Sequence, residues 1–296
     1  MLRYTRNDTI MPKTWKFILI SVISLLSAVF IFLLIDASGN FYWSTTEGQI
    51  DPKVSEDKSQ RSKVLSLAII SDIHNSWDNL DNSIEVINNT YFDMVIFLGD
   101  LTDVGEPENL EKGAKLLQKL RYPLLSTPGN HDIWYARQER LAEDYYFNQY
   151  FPVQSCSEYK GFEFVFINNS DEQLGLTADN WNKTLDCLNI PKPLVVFSHE
   201  PIFHPTNDYV MGKYEDKVAT QAAIILDILC QKKAKVAVAG HQHSYSQYFY
   251  DCPNGYKLPM IVSGALAETR NFQSPRFLKL NIFNDGGFEN KEDELK

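Results

Sequence analysis

Five short polar clusters contain the residues in this sequence whose types suit metal chemistry. They hold five of the six histidines and several aspartates: Ser71-Asp72-Ile73-His74, Gly99-Asp100-Leu101-Thr102-Asp103, Gly129-Asn130-His131-Asp132, Ser198-His199-Glu200-Pro201 and Gly240-His241-Gln242-His243. Imidazole and carboxylate ligands without thiolates suit ions such as Mn, Fe, Zn or Co. Each cluster alone is a weak indication, since Gly-Asp and Gly-Asn also occur in ordinary turns. Together they predict a metal site assembled from distant segments.

Each cluster follows closely on an apolar run of strand length. The runs are Leu65–Ile70, Met94–Leu98, Tyr122–Leu125, Leu194–Phe197 and Val236–Ala239. Between them the sequence predicts helices over residues 76–90, 107–120, 134–149, 177–189 and 216–232, with Thr177 as the N-cap of the fourth. This alternation is typical of an α/β domain, and continuous apolar runs favour strands that are covered on both faces. Ligands bind such sheets beyond the carboxyl ends of the strands, so the five clusters should meet there.

The pattern changes beyond residue 243. Residues 244–250, 257–263 and 276–282 resemble short strands joined by turns, which suggests an antiparallel extension of the sheet. The acidic tail, residues 284–296, has the composition of a disordered segment.

Taken together, the five clusters resemble the full motif set of the calcineurin-like metallophosphoesterases. The resemblance covers about residues 64–283, and it implies a double-layered β-sandwich flanked by α-helices with two metal ions at the strand ends. It further implies that Asp100 bridges both ions. One ion would also take Asp72, His74 and His243, and the other would take Asn130, His199 and His241.

The same resemblance assigns His131 to the substrate rather than to a metal. His131 would then act as a general acid that protonates the leaving oxygen. Asp103 or Asp132 would orient its imidazole, although Asp132 could equally cap a helix that begins at Ile133. Purple acid phosphatases, a branch of this superfamily, have a tyrosine ligand where Asp103 stands, which argues against a tyrosine-ligated ferric site here. His204 and Arg270 are weaker candidates for contact with substrate.

The amino-terminal residues predict a membrane anchor. Residues 17–35 carry no charge and are long enough to span a bilayer as a helix. Basic residues precede this segment and acidic residues follow it, which places residues 1–16 in the cytoplasm and the catalytic domain outside it. A cleaved signal peptide is the alternative, although this apolar core is longer than such peptides usually have. Residues 36–63 are polar and suit a linker.

The amino-acid composition limits the kinds of partner that this protein is expected to bind. The chain has 38 acidic against 28 basic residues, so a nucleic-acid-binding surface is not expected. The four cysteines lack zinc-site spacing and could be buried thiols or form up to two disulfides, with three pairings possible. The sequence thus indicates a membrane-anchored phosphoesterase that acts on a phosphomonoester or a phosphodiester, a membrane-associated ester included. The resemblance further implies attack by a hydroxide that bridges the metals. The alternative is a non-catalytic calcineurin-like scaffold that acts in protein binding.

Overall fold

Two mixed β-sheets packed face to face form the centre of the folded domain. The computed structural model describes residues 61–152 and 155–295. The first sheet has the strand order β11-β10-β1-β2-β3 and the second has the order β4-β5-β6-β7-β9-β8. The strands are β1 (Lys63–Ile70), β2 (Met94–Phe97), β3 (Leu124–Ser126), β4 (Cys156–Tyr159), β5 (Phe162–Ile167), β6 (Leu194–Ser198), β7 (Val236–Ala239), β8 (Ser246–Asp251), β9 (Lys257–Val262), β10 (Arg276–Phe283) and β11 (Phe288–Glu294).

Helices lie on the outer faces of both sheets. They are α1 (Trp77–Asn88), α2 (Pro107–Leu117), a 3₁₀ turn (His131–Ile133), α3 (Trp134–Gln138), α4 (Phe147–Tyr150), α5 (Ala178–Leu188) and α6 (Asp216–Lys232). Thr177 caps α5 as expected, because its hydroxyl accepts a hydrogen bond from the backbone N–H of Asn180 at 3.2 Å.

Three apolar clusters explain why the strands read as continuous apolar runs. The cluster between the sheets combines Leu67 and Ile96 of the first sheet with Phe164, Phe197 and Val238 of the second. The other two clusters lie under α1, α2 and α4 on one side and under α5 and α6 on the other. Strands β1, β2, β6 and β7 therefore bury both faces, which confirms the α/β pattern expected of them.

Parallel pairing brings the predicted clusters to one end of the molecule. In the first sheet β1, β2 and β3 are parallel neighbours, and in the second β5, β6, β7 and β9 are parallel neighbours. The three strands predicted after residue 243 form, but they do not extend one sheet. Strands β8 and β9 join the second sheet, while β10 pairs antiparallel with β1 in the first.

The expectation of a disordered acidic tail is wrong. Residues 288–294 form β11, which pairs antiparallel with β10 along its length. Glu292 forms an ion pair with Arg276 at 3.0 Å, and Asp293 pairs with Lys279. The acidic residues are thus matched by basic residues of β10, a pairing that composition alone does not reveal. A charged edge strand also discourages further strand addition.

The predicted helix over residues 134–149 is also wrong. Only α3 and α4 are helical there, and Arg140 between them has a left-handed backbone with φ of 58°. Residues 139–146 lack the apolar stripe that a packed helix needs, and Leu141 remains exposed. The chain instead turns so that Phe147 can pack in the core against Phe97.

Two disulfides settle the cysteine alternatives. Cys156 of β4 bonds Cys187 of α5, and Cys230 of α6 bonds Cys252 just after β8. Both bridges fasten an outer helix to the second sheet. Strands β4 and β5 themselves lie outside the strands predicted from the sequence.

No helix in residues 61–152 and 155–295 is both long enough and apolar enough to cross a membrane. The predicted span at residues 17–35 and most of the predicted linker lie outside the described residues.

Candidate metal centre

The seven expected ligands all lie where the carboxyl ends of the two sheets meet. Each belongs to a loop that leaves a parallel strand, because the polar residues begin where the buried strand ends. The first sheet contributes Asp72, His74, Asp100 and Asn130, and the second contributes His199, His241 and His243. Neither sheet therefore holds the complete set by itself.

The backbone is strained at most of these positions. Five of the seven have left-handed φ values between 45° and 69°, namely Asp72, His74, Asp100, His241 and His243. Such a conformation costs on the order of 1–3 kcal/mol for a non-glycine residue and tends to occur at functional sites. The concentration of strain here indicates that the fold fixes these side chains for a purpose other than stability.

Glycines allow the loops to approach one another closely. A Cβ at Gly129 would lie 2.1 Å from Asp100 Oδ1, and a Cβ at Gly240 would lie 1.9 Å from Ser71 Oγ. These glycines of the motifs therefore serve contact between loops rather than chain flexibility. Gly129 permits the Asp100 carboxylate to lie against the backbone of the neighbouring loop.

One group of possible ligands consists of Asp72, His74, Asp100 and His243, all buried, with their donor atoms within 4.8 Å of one another. His74 Nε2 is 3.4 Å from Asp100 Oδ2, and His243 Nε2 is 3.3 Å from Asp72 Oδ1. The ring nitrogens of His74 and His243 face each other at 3.1 Å.

A second group shares Asp100. It contains His199 and His241, whose ring nitrogens Nε2 and Nδ1 are 3.2 Å apart. Asn130 Oδ1 lies 2.9 Å from His199 Nε2 and 3.2 Å from His241 Nδ1, and Asp100 Oδ2 is 3.4 Å from His199 Nε2. Asp100 is thus the residue common to both groups.

Hydrogen bonding on the far side of the rings shows that these groups fit metal ions. His199 Nδ1 donates to the Leu98 carbonyl at 2.8 Å, and His243 Nδ1 donates to the Arg270 carbonyl at 3.1 Å. A neutral imidazole with a proton on Nδ1 has a lone pair on Nε2. Each Nε2 therefore points a lone pair at another nitrogen or a carboxylate oxygen. Facing acceptors of this kind suit a cation between them.

The electrostatics of the centre favour bound positive charge. Burial opposes ionisation of Asp72, but His243 and other neighbours hold its pKa at about 2. Burial likewise tends to lower the pKa of His199, but the Asp100 carboxylate outweighs it and raises that pKa to about 10. In the absence of metal a proton takes the place of the cation. Metal binding must displace it, so metal affinity should fall as the pH is lowered.

His131 is placed differently from the other histidines. Its Nδ1 donates to the backbone carbonyl of Asp103 at 2.6 Å, and its ring packs on Trp134 at a centroid distance of 3.9 Å. Its remaining nitrogen is free of protein hydrogen bonds in the described residues, and the side chain lines the cavity of the site. The expectation that a carboxylate orients this ring is wrong in detail, because the Asp103 main chain does so.

Asp103 and Asp132 have carboxylates that serve other partners. Asp103 accepts a hydrogen bond from Asn75 Nδ2 at 2.9 Å and lies 3.4 Å from His74 Nδ1. Asp132 neither caps a helix nor contacts the His131 ring. It accepts hydrogen bonds from the backbone N–H groups of Leu101, Thr102 and Gly129. Asp132 therefore joins the Asp100 loop to the Asn130 loop.

A cavity of about 580 Å³ opens onto the centre, a size typical of small-molecule sites. Arg270, a weaker candidate from the sequence, lines it, as do Glu172, Tyr209 and Phe272, which the sequence clusters do not include. Glu172 could have been found, since the apolar run Phe162–Ile167 is followed by a polar cluster as in the other five cases. Tyr209 and Phe272 lie in loops without any such pattern.

His204 lies outside this cavity. Its Nδ1 accepts hydrogen bonds from the backbone N–H groups of Thr206 and Asn207, and its Nε2 is 3.2 Å from Ser246 Oγ. These contacts fix the loop after β6 and leave no free nitrogen for a substrate at the centre.

Comparison with known proteins agrees with this geometry. The family model for the calcineurin-like phosphoesterases matches residues 65–245, which include all seven expected ligands. The chain belongs to the calcineurin-like phosphoesterases. It is accordingly a member of a family of metal-dependent phosphoric ester hydrolases, which confirms the expected family and its α/β sheets flanked by helices.

Individual relatives are distant. A probable cyclic nucleotide phosphodiesterase of Coxiella burnetii is 24% identical over 198 residues, covering 61% of this chain and 76% of the relative. A purple acid phosphatase from yellow lupin has a similar fold, with a TM-score of 0.57 and 16% identity over 79% of this chain, which spans about half (52%) of the lupin protein. GAP50, the anchor in the inner membrane complex of Plasmodium, is similar with a TM-score of 0.54 and 14% identity, over 78% of this chain and 85% of that one.

Substitution of Gly129 by alanine should abolish tight metal binding. The new Cβ would overlap the Asp100 carboxylate and the Asp100 backbone nitrogen, 2.3 Å away, so the shared ligand must move. Elemental analysis of the purified full chain should find less than about half of the wild-type metal content. Gly255→Ala is the matched control, because a Cβ there meets nothing within 4 Å although its φ of +79° is strained. Wild-type metal content in Gly129→Ala would contradict the role given to this close approach.

Proposed function

We propose that this protein is a membrane-anchored, two-metal phosphodiesterase. The single observation that carries the proposal is the pair of buried ligand groups that share Asp100 and open onto one cavity. Two metals that share a carboxylate suit in-line displacement at phosphorus. Since the donor set contains no thiolate, Mn, Fe, Zn and Co are the candidate ions.

Bound metals would supply a hydroxide nucleophile near neutral pH and positive charge for the phosphoryl oxygens. The chain itself supplies orientation and proton transfer. The free nitrogen of His131 faces the cavity, where a protonated ring could donate to the leaving oxygen. Its Nδ1 bond to the Asp103 carbonyl fixes the ring while that step takes place.

Charge in the cavity favours a diester over a monoester. Among the described residues that line it, Arg270 is the one arginine or lysine, while Glu172 adds a carboxylate beside the second ligand group. A phosphodiester carries one negative charge, whereas a phosphomonoester approaches two at neutral pH and would be repelled more strongly by Glu172. The description of the Coxiella relative as a probable cyclic nucleotide phosphodiesterase supports the same choice.

The exposed rings of Tyr209 and Phe272 border the same cavity. Aromatic rings at such a position could stack on a flat substituent of the ester, and a nucleobase is one such group. The scaffold alternative finds support in the GAP50 likeness, since that protein is described as an anchor. A scaffold has no need for a complete buried ligand set, which this chain retains.

Attachment to a membrane is a further part of the proposal. Residues 17–35 have the length and apolar composition of a single span, and the charges beside them favour an extracytoplasmic domain. The two disulfides support that side of the membrane, because such bonds persist mainly in oxidising compartments.

The full chain in detergent, supplied with Mn²⁺, should hydrolyse bis-p-nitrophenyl phosphate faster than p-nitrophenyl phosphate. Chelator should abolish the reaction. Asp100→Ala should lower kcat/KM by at least about 100-fold, because bound metals contribute several kcal/mol to transition-state stabilisation.

Asp81→Ala removes an exposed aspartate of α1 and serves as the control for that variant. Two bound metals without hydrolysis of either ester would indicate a narrower natural substrate. If the protein neither binds metal nor hydrolyses either ester, the proposed enzyme activity is refuted and the scaffold alternative is favoured.

His131→Ala should slow esters of poor leaving groups more than esters of good ones. An alkoxide needs a proton in order to depart, and general acids typically contribute about 10²–10⁴-fold. We therefore expect a loss of at least about 100-fold in kcat for a cyclic nucleotide but a much smaller loss for bis-p-nitrophenyl phosphate. Equal losses for both substrates, with metal content unchanged, would make His131 a binding residue rather than an acid.

Fusion of alkaline phosphatase after residue 60 tests the proposed orientation. The reporter should be active there, and a cytoplasmic reporter at the same position should be silent, because the positive charges precede the span. The reverse pattern would place the domain in the cytoplasm.

A further inference from the structure

Four of the histidines described above point a ring nitrogen into the two ligand groups, and three of them have a backbone carbonyl or the Asp103 carboxylate near the opposite nitrogen. His199 has the Leu98 carbonyl, His243 has the Arg270 carbonyl, and His74 has the Asp103 carboxylate at 3.4 Å. His241 is the exception, since the group opposite its inward nitrogen is the carboxylate of Glu172, a residue outside the motifs.

The His241 ring also has the opposite orientation, because it directs Nδ1 into its ligand group, whereas His74, His199 and His243 direct Nε2. Its Nδ1 faces Asn130 Oδ1 and His199 Nε2, both at 3.2 Å, so Nε2 is the nitrogen that points away from the second ligand group. That Nε2 lies 3.6 Å from Glu172 Oε1. A proton on Nε2 would be attracted to this carboxylate and would leave the Nδ1 lone pair directed at the metal position.

The loop after β5 holds Glu172 in this place. Asp171 Oδ1 accepts hydrogen bonds from the backbone N–H groups of Gln173 and Leu174 at 2.9 and 2.7 Å. Its carboxylate also lies 3.5 Å from Arg137. The turn that carries Glu172 is therefore closed on itself and fastened to α3.

A second connection joins this loop to the cluster after β6. The buried Asn169 side chain donates to the Glu200 carbonyl at 2.9 Å and accepts from the backbone N–H groups of His199 and Glu200 at 3.2 Å. This brings carboxylate oxygens of Glu172 and Glu200 and a ring nitrogen of His241 within 4.8 Å of one another. Glu200 is buried, and its carboxylate lies close to that of Glu172.

We propose that Glu172 is a positioning residue for the second metal, which it serves by fixing the ring and the tautomer of His241. The inference rests on the proposed two-metal function and adds a residue to it. Glu172 would not coordinate the second metal itself, because its carboxylate lies at His241 Nε2, the nitrogen opposite the one that faces the second ligand group. Its carboxylate would also raise the basicity of the His241 nitrogen that binds the metal.

The test is a titration of Mn²⁺ into the chelator-treated full chain in detergent, followed by calorimetry for wild type, Glu172→Ala and Glu172→Gln. Wild type should bind two ions. In Glu172→Ala one of the two should bind about 10- to 100-fold more weakly, the range typical when the outer partner of a metal-binding histidine is lost. Glu172→Gln should remain within a few-fold of wild type, because the amide oxygen can still accept the Nε2 proton.

The two variants together separate positioning from direct coordination. A carboxamide is a poor substitute for a metal-binding carboxylate, so equal weakening in Glu172→Gln and Glu172→Ala would show that Glu172 is itself a ligand and overturn the proposal. Unchanged affinity for both ions in Glu172→Ala would overturn it as well, and so would a third ion in wild type that Glu172→Ala loses.

Controls keep this result distinct from failure of the proposed function. Glu111→Ala removes an exposed glutamate on α2 that pairs with Lys115 rather than with a ligand, and it should leave both affinities unchanged. Fewer than two ions in wild type would refute the two-metal function and the inference with it. Two ions in wild type with no change in Glu172→Ala would refute the inference alone. Circular dichroism of each variant should match wild type, since Glu172 lies at the rim of a packed loop.

Discussion

The metal centre of this protein brings together acceptor atoms that repel one another unless positive charge lies between them. Two buried carboxylates and four imidazoles direct their acceptor atoms at one another across distances of 3.1 to 3.4 Å. Backbone N–H groups of His131 and His241 donate to Asp100 and Asp72, but acceptor atoms buried against one another remain costly unless positive charge lies between them. The rest of the fold can be understood as the framework that prevents these side chains from moving apart.

That framework has two parts that act together. The apolar cluster between the sheets fixes the two sets of strand ends against each other, so that ligands from both sheets reach one point. The loops then add local constraint through left-handed residues, through glycines at the closest contacts and through Asp132, which ties the Asp100 loop to the Asn130 loop. Strain of this kind persists only where the surrounding structure determines the backbone from several sides.

Burial of charge also shapes what surrounds the ligands. Burial and the neighbouring Glu172 raise the pKa of Glu200 to about 8, and burial also raises the pKa of Glu172. Arg270 and Glu172, which are side chains of opposite charge, both line the cavity. The disulfides stabilise the second sheet at its outer helices, away from this balance of charges.

The sequence by itself determined the parts of this protein that are local. An apolar run followed by a polar cluster shows where a strand ends, and five such cases predicted the α/β domain. The resemblance of these clusters to a known motif set then implied the expected ligands. The tertiary structure alone decided the features that depend on partners distant in the chain. The acidic tail became β11 because β10 supplies Arg276 and Lys279, and His131 is oriented by the Asp103 carbonyl, which any residue could have provided. Glu172 reaches His241 only because Asn169 joins two loops about 30 residues apart, and no local pattern encodes a contact of that kind.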